Sequence, residues 1–261
     1  SGPSCSGKTT ASTRLMEALR ENGDQTVLIS IDDFFCDRPE SKTTSETLDY
    51  DSVNAIDLAY LTEVIEGICH GEPVRLPHYN FLTGKRDSYR AYQPDARNIY
   101  IFEGIQAVYP EVTSVLRSAS VSLGGYDSVF ICPDAPDDAE NTILSDNDIR
   151  LLRRIVRDVR TRGASPEFTL HLWESVRANE DKSILPYAKN ATVRINSYLP
   201  YELYVIAPLC RPYLLEIPAD SPYHRRAREL LSYLDAFENP YFSCRMVPFD
   251  SVFREFIGNI Q

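Results

Sequence analysis

Four short apolar runs punctuate the chain: TVLISI (26–31), NIYIFE (98–103), DSVFIC (127–132) and ELYVIA (202–207). Each is nearly continuous rather than alternating and is rich in β-branched residues, as a strand buried on both faces should be. Between them, apolar residues recur every three or four positions at about 8–21, 54–70, 147–162, 166–180 and 222–237, the spacing of amphipathic helices. Strands and helices in alternation predict an α/β fold, a mostly parallel sheet with helices on both faces. One segment breaks the rhythm. Between Pro73 and Pro94, VRLPHYN and KRDSYRAY flank FLTG, which predicts a β-hairpin rather than another βα unit. The acidic, turn-rich stretch 133–148 predicts an exposed loop leading into an arginine-rich helix.

Composition narrows the chemistry. With 261 residues, 43% of them hydrophobic, the chain can bury a sizeable core. No apolar run approaches the roughly 20 residues that cross a bilayer, and no signal-peptide pattern opens the chain, so a cytoplasmic location is expected. The six cysteines lack CxxC spacing and nearby histidines, which argues for reduced thiols and against a disulfide framework or a zinc site. A net charge of −11 repels nucleic acid and acidic membranes, so neither is an expected partner. Any anionic ligand must be held by a local positive cluster.

The opening SGPSCSGKTT supplies one candidate. Gly2, four residues, then Gly7, Lys8 and Thr9 satisfy the phosphate-loop pattern, and a helical pattern follows directly. Such a loop turns successive N–H groups toward phosphate oxygens at a helix N-terminus. Gly2, Ser4, Ser6, Gly7, Lys8, Thr9 and Thr10 are therefore the expected nucleotide-binding residues, with Lys8 on the β and γ phosphates and the Thr9 hydroxyl on Mg²⁺. ATP and Mg²⁺ are the expected cofactors. No buried strand enters the loop in this sequence, so the chain is expected to be cut from a longer one, with the first strand missing.

A phosphate loop leaves the acceptor open. ISIDDFF places Asp32 and Asp33 at the carboxyl end of a strand, where open α/β sheets put their ligand crevice. One carboxylate can face the reacting groups while the other caps a turn; a solvated pair is the alternative. YIFEGI places Glu103 as an acid that could hold Mg²⁺ through water, or as a surface residue before a glycine turn. In IRLLRRIVRDVRTRG (149–163), Arg150, Arg154, Arg157 and Arg160 share one helical stripe opposite an apolar one. The stripe could close over a triphosphate, or be a solvated face paired with the acidic loop, with a nucleic-acid patch third. His78 could touch substrate, whereas His70, His171, Trp173 and Cys5 read as capping or packing residues.

Taken together, GPSCSGKTT, ISIDDFF, LDYDSVNAID, LPHYNF, FEGI and RRIVRDVRTRG resemble the uridine kinase and phosphoribulokinase family of P-loop kinases, over residues 1 to about 207. The resemblance implies Asp32 as catalytic base, with Lys8, Arg157 and Arg162 stabilising charge. It implies Tyr50, Asp51, Tyr79, Phe81 and Arg154 on the nucleoside, Arg154 also on the nucleotide, and Glu103 with Thr9 on the metal. Two positions depart from the pattern: Gly84 lies near where uridine–cytidine kinases offer a histidine, and Ala164 stands where another arginine is common. The end of the chain is similar to uridine-kinase-like proteins with an N-terminal TGS or threonyl-tRNA-synthetase-like region. That implies a fused N-terminal domain.

The expected organisation is a kinase domain over 1–210, with a hairpin insertion at 73–94 and a lid at about 133–188, followed by a helical extension over 211–261. The expected activity is Mg²⁺-assisted transfer from ATP to a nucleoside 5′-hydroxyl, uridine or cytidine being the model acceptor. A sugar-phosphate kinase and a non-catalytic ATP-binding module are the alternatives. A small-molecule acceptor is the expected partner, and a homo-oligomer is left open.

Overall fold

The computed structural model describes residues 1–38, 52–81, 83–135, 144–239 and 241–258. In chain order the main elements are α1 (Lys8–Glu21), β1 (Gln25–Ser30), α2 (Leu58–His70), β2 (Val74–Asn80), β3 (Lys85–Tyr92), β4 (Asn98–Glu103), α3 (Pro110–Leu123), β5 (Val129–Cys132), α4 (Asp146–Arg162), α5 (Pro166–Ser183), α6 (Leu185–Ala188), β6 (Val193–Asn196), α7 (Glu202–Leu215), α8 (His224–Leu234) and α9 (Arg254–Ile257). This is an α/β chain. It divides into two compact units: Ser1–Gly2, Ala11–Phe130 and Asn179–Val193 form the first, and Pro3–Thr10, Ile131–Ala178 and Arg194–Gln261 the second.

In the first unit β1 and β4 run parallel, from Gln25 opposite Asn98 to Ser30 opposite Glu103. Their shared register brings both carboxyl ends to one level. The predicted hairpin is present as the antiparallel pair β2 and β3, with an irregularity between His78 and Tyr79. Helix α2 starts where the Asp57 carboxylate accepts the Tyr60 N–H at 3.0 Å and stops at Gly71 in the left-handed region. Between these ends it buries Leu61, Val64, Ile65 and Ile68, spaced for one face. Each such side chain contributes about 1.5–3 kcal/mol over exposure. Ser1 donates its amine to Val129 O at 2.8 Å and its hydroxyl to Ile105 O at 2.9 Å. Among the described residues no ladder joins β4 to β5.

The second unit is built around α4. Ser145 and Asp148 form a reciprocal cap at its start, and Gly163 ends it in the left-handed region. Ile149, Leu151, Leu152, Ile155 and Val156 are buried in a core shared with Leu203, Ile206, Cys210 and Leu214 of α7, Leu230 and Leu234 of α8, and Phe253, Phe256 and Ile257 near the chain's end. Strands β5 and β6 pair, with Val193 donating to Ser128 O and Ser197 to Cys132 O; partner numbers rise together, so the pair is parallel.

One predicted strand is corrected. ELYVIA is the first part of α7, not a strand. A six-residue apolar run fits either state, and its continuation decides: Leu203, Ile206, Ala207, Cys210 and Leu214 are buried at helical spacing. Pro208 and Pro212 lie inside this helix. Helix α3 and strand β6 were not anticipated, although Pro110 at the first helical position and Gly124 as C-cap mark the ends of α3.

Candidate active site

The phosphate loop belongs to the second unit from Pro3 to Thr10. Cys5 adopts φ +58°, a left-handed conformation that costs a non-glycine residue on the order of 1–3 kcal/mol. What holds it there comes from α4. Arg150, 1% exposed, donates to Ser4 O at 3.1 Å, and Arg153, fully buried, donates to Cys5 O at 3.2 Å. Arg154 donates to the Ser4 hydroxyl at 2.9 Å. The carbonyls of Ser4 and Cys5 are thus taken by guanidinium groups, while the Ser6 N–H donates to Pro3 O at 3.3 Å. Lys8 Nζ donates to Pro3 O at 2.9 Å.

Arg153 is paid for by Glu202, which accepts from its Nε and Nη2 at 2.7 and 2.8 Å, both side chains being fully buried. Ser197 O accepts a further bond at 2.8 Å. Such a pair is stable only because geometry and hydrogen bonds offset its desolvation. Arg150 is thus not on an exposed stripe, as the helical spacing suggested; it lies over the Trp173 ring, 5.3 Å from its centroid. The lid arginines expected from sequence converge on Asp158: Arg157 at 2.7 Å, Arg154 at 3.3 Å and Arg162 at 3.8 Å. Burial lowers the Arg157 pKa, but the charge of Asp158, its hydrogen bond and the charge of Glu255 outweigh it, and the pKa is raised. It stays cationic.

The donor set suits an anion, and the structure contains one test of this. Glu255 Oε2 accepts from both the Thr10 N–H, at 3.2 Å, and the Thr10 hydroxyl, at 3.0 Å, in the first turn of α1. Val252 packs directly on Gly7. The Ser6 hydroxyl is buried without a hydrogen-bond partner, an orphan donor within the loop. Among the described residues no cluster of three His, Cys, Asp or Glu could cage a metal.

The acids lie in the first unit. Ser30 and Glu103 face each other at the ends of β1 and β4, the Ser30 hydroxyl donating to Glu103 Oε1 at 3.3 Å. The chain then turns through a 3-10 segment, Ile31–Phe34, that carries both aspartates. Gly104, at φ +154°, lets that turn approach: a Cβ there would fall 3.1 Å from Ile31 Cβ and 3.6 Å from Asp32 Oδ1. The Asp32 carboxylate is therefore next to the backbone that follows Glu103. Asp33 takes another role, accepting the Tyr79 N–H at 3.0 Å and lying 3.2 Å from His78 Nδ1. It ties the hairpin to the turn.

The hairpin's Tyr79 and Phe81 meet Phe35, a residue that sequence reasoning missed. The three rings pack edge to face, with centroids 5.1 to 6.0 Å apart. Phe35 and Tyr79 are buried, while Phe81 is 50% exposed. A separate cavity of about 340 Å³ is lined by Ser30, Asp33, Phe34, Leu76, His78 and Tyr89 among others, on the Asp33 side; neither Asp32 nor Glu103 lines it. Tyr50 and Asp51 lie outside the described residues.

A glycine-bearing loop opening a helix, acids at the ends of parallel strands and an arginine-rich helix are each features found in P-loop kinases. The family model described as "Phosphoribulokinase / Uridine kinase family" matches residues 1–125. The chain is 29% identical over 198 residues to uridine-cytidine kinase B of Dictyostelium discoideum, covering 74% of this chain and 71% of that protein. It is 27% identical over 200 residues to uridine kinase of Saccharomyces cerevisiae, covering 75% of this chain but 36% of the relative. It thus spans about a third of some of its relatives. A solved structure from Bacillus stearothermophilus, described as a possible uridine kinase, is 19% identical with a TM-score of 0.46, covering 75% of this chain and 85% of that one. Over its first 125 residues the chain is thus similar to the phosphoribulokinase and uridine kinase family, and along about three quarters of its length to uridine-cytidine kinases.

Proposed function

We propose that the chain transfers the γ-phosphoryl group of ATP to the 5′-hydroxyl of a pyrimidine nucleoside. The observation that carries this reading is the placement of the Asp32 carboxylate against Gly104, the residue after Glu103, in the turn that follows β1, because a pure nucleotide sensor needs no second carboxylate there. Asp32 accepts the proton of the attacking hydroxyl and orients it. The loop N–H groups, Lys8 and the arginines of α4 hold the phosphates and offset charge that grows in the transition state. Thr9 and Glu103 are the residues that would hold Mg²⁺, which when bound neutralises phosphate oxygens. Phe81, backed by the buried rings of Phe35 and Tyr79, offers an aromatic surface that favours a flat base over a sugar phosphate. The curated relatives named for uridine and cytidine support the same acceptor class.

One observation favours a non-catalytic reading: Glu255 already occupies donors of Thr10. ADP release with Mg²⁺-ATP and a panel of uridine, cytidine, purine nucleosides and ribulose 5-phosphate, against a no-acceptor control, decides between them. Stimulation by a pyrimidine nucleoside is expected. Stimulation only by ribulose 5-phosphate replaces the acceptor, and a flat panel in a protein that binds ATP favours the regulatory module.

A further inference from the structure

We propose that the segment 247–258 is an internal cover of the phosphate loop and that ATP binds only as this cover lifts, so that nucleotide loading and docking of the segment exclude one another. The proposal rests on the reading of the loop as the ATP site and is independent of the acceptor.

The segment is built as one piece. Arg254 donates from Nε to Pro248 O at 3.3 Å, from Nη1 to Gly258 O at 3.4 Å and from Nη2 to Val247 O, closing the stretch on itself. Ser251 Oγ accepts the Phe253 N–H at 3.2 Å and lies 3.0 Å from the Tyr201 hydroxyl. Phe253, Phe256 and Ile257 are fully buried in the core around α4. The Phe256 ring centroid is 4.9 Å from the guanidinium of Arg153, the same arginine that donates to Cys5 O.

From this piece two side chains, three positions apart, reach the loop. Val252 closes on Gly7: a Cβ there would fall 2.3 Å from Val252 Cγ2, so nothing fits between them. Glu255 uses one carboxylate oxygen to take both the Thr10 N–H and the Thr10 hydroxyl. While it does so neither donor serves a phosphate oxygen, and a phosphate brought beside it meets like charge. The replacement is incomplete. The Ser6 hydroxyl stays buried without a partner, and a phosphate group carries more acceptor oxygens than the single one that Glu255 supplies. A ligand with more acceptors therefore gains by displacing the carboxylate. Linkage makes the effect mutual: the cover weakens ATP binding by the factor by which ATP weakens docking of the cover.

The test combines hydrogen exchange of the full chain, in Mg²⁺ alone, in Mg²⁺-ATP and in adenosine, with calorimetric ATP titration of the wild type, Arg254→Gln and Tyr201→Phe. ATP is expected to speed amide exchange across 249–258 about tenfold, and adenosine, which has no phosphate, to leave it unchanged. Arg254→Gln unties the segment at bonds that do not involve the loop. By electrostatics alone the loss of a cation weakens ATP binding, whereas release of the cover tightens it. A gain in affinity of roughly threefold is expected, with a lower melting temperature. Tyr201→Phe frees Ser251, keeps the ring against Phe253 and changes no charge, so it should move affinity the same way and decides the matter should Arg254→Gln fail to fold. Exchange that stays level or slows in the ATP-bound protein, or affinity that holds or falls in the folded variants, overturns the proposal; the segment is then a fixed wall of the loop. ATP binding by the variants and not by the wild type is the strongest form of the expected result. If none of the folded proteins binds ATP, the ATP reading of the loop falls and takes this proposal with it.

Discussion

The two units hold their site residues by different means. In the first, Asp32 and Glu103 owe their positions to backbone: a parallel register that ends both strands together and a glycine that lets the next turn approach. In the second, the phosphate loop is held by side-chain ions, Arg150 and Arg153 taking its carbonyls and the buried Glu202 balancing one of them. Backbone-built positions survive the loss of a side chain, so their mutants report on chemistry. Ion-braced positions do not, and their mutants report on folding as well.

The largest effect is therefore expected where chemistry and scaffold separate most cleanly. Asp32→Asn keeps the shape of the turn and removes the proposed proton acceptor, so turnover should fall by about 10²–10⁴-fold, the usual worth of a positioned general base. The melting temperature should move little. A steady-state rate within twofold of the wild type would remove Asp32 from the reaction.

Next comes the brace. Glu202→Ala strands the Arg153 guanidinium in the core and should cost about 3–5 kcal/mol in urea unfolding, because a buried charge has lost its partner. Replacing both partners, Arg153→Met with Glu202→Leu, should recover most of that stability and still leave Cys5 O without its donor. If the double variant binds ATP as tightly as the wild type, the arginine serves the core and not the loop. A third test moves to the aromatic wall. Phe81→Ala removes a half-exposed ring, so stability should change little while the KM for a nucleoside rises about tenfold, the scale of one stacked base. A change in kcat alone would place Phe81 elsewhere in the cycle.

How much of this was legible in the sequence follows from how local each feature is. The loop, the hairpin and the acids at strand ends are written in contiguous residues, and their signals need no distant partner. The failures are nonlocal. Spacing alone places Arg150 on the presumed outer stripe with Arg154, but burial of Arg150 and Arg153 is decided by the loop about 150 positions earlier and, for Arg153, by Glu202, 49 positions later. ELYVIA reads as a strand because six apolar residues do not reveal the helical burial that continues to Leu214.

The smallest effect is the most direct probe of the ion-held unit. Glu255 caps the first turn of α1 by accepting two bonds from Thr10, and Val252 closes on Gly7, so the segment that carries them competes with any anion for the same N–H groups. Glu255→Ala should therefore act in opposite directions on two observables. Stability should fall by about 1 kcal/mol, as when a helix loses its N-terminal acceptor. Affinity for ATP, measured by calorimetry, should rise a few-fold, because removing a carboxylate from a helix N-terminus also removes its repulsion of phosphate. Weaker ATP binding would reverse the assignment: Glu255 would then be forming the loop's shape rather than competing for it, and the second unit would depend on a carboxylate at its N-H face as well as on arginines at its carbonyl face.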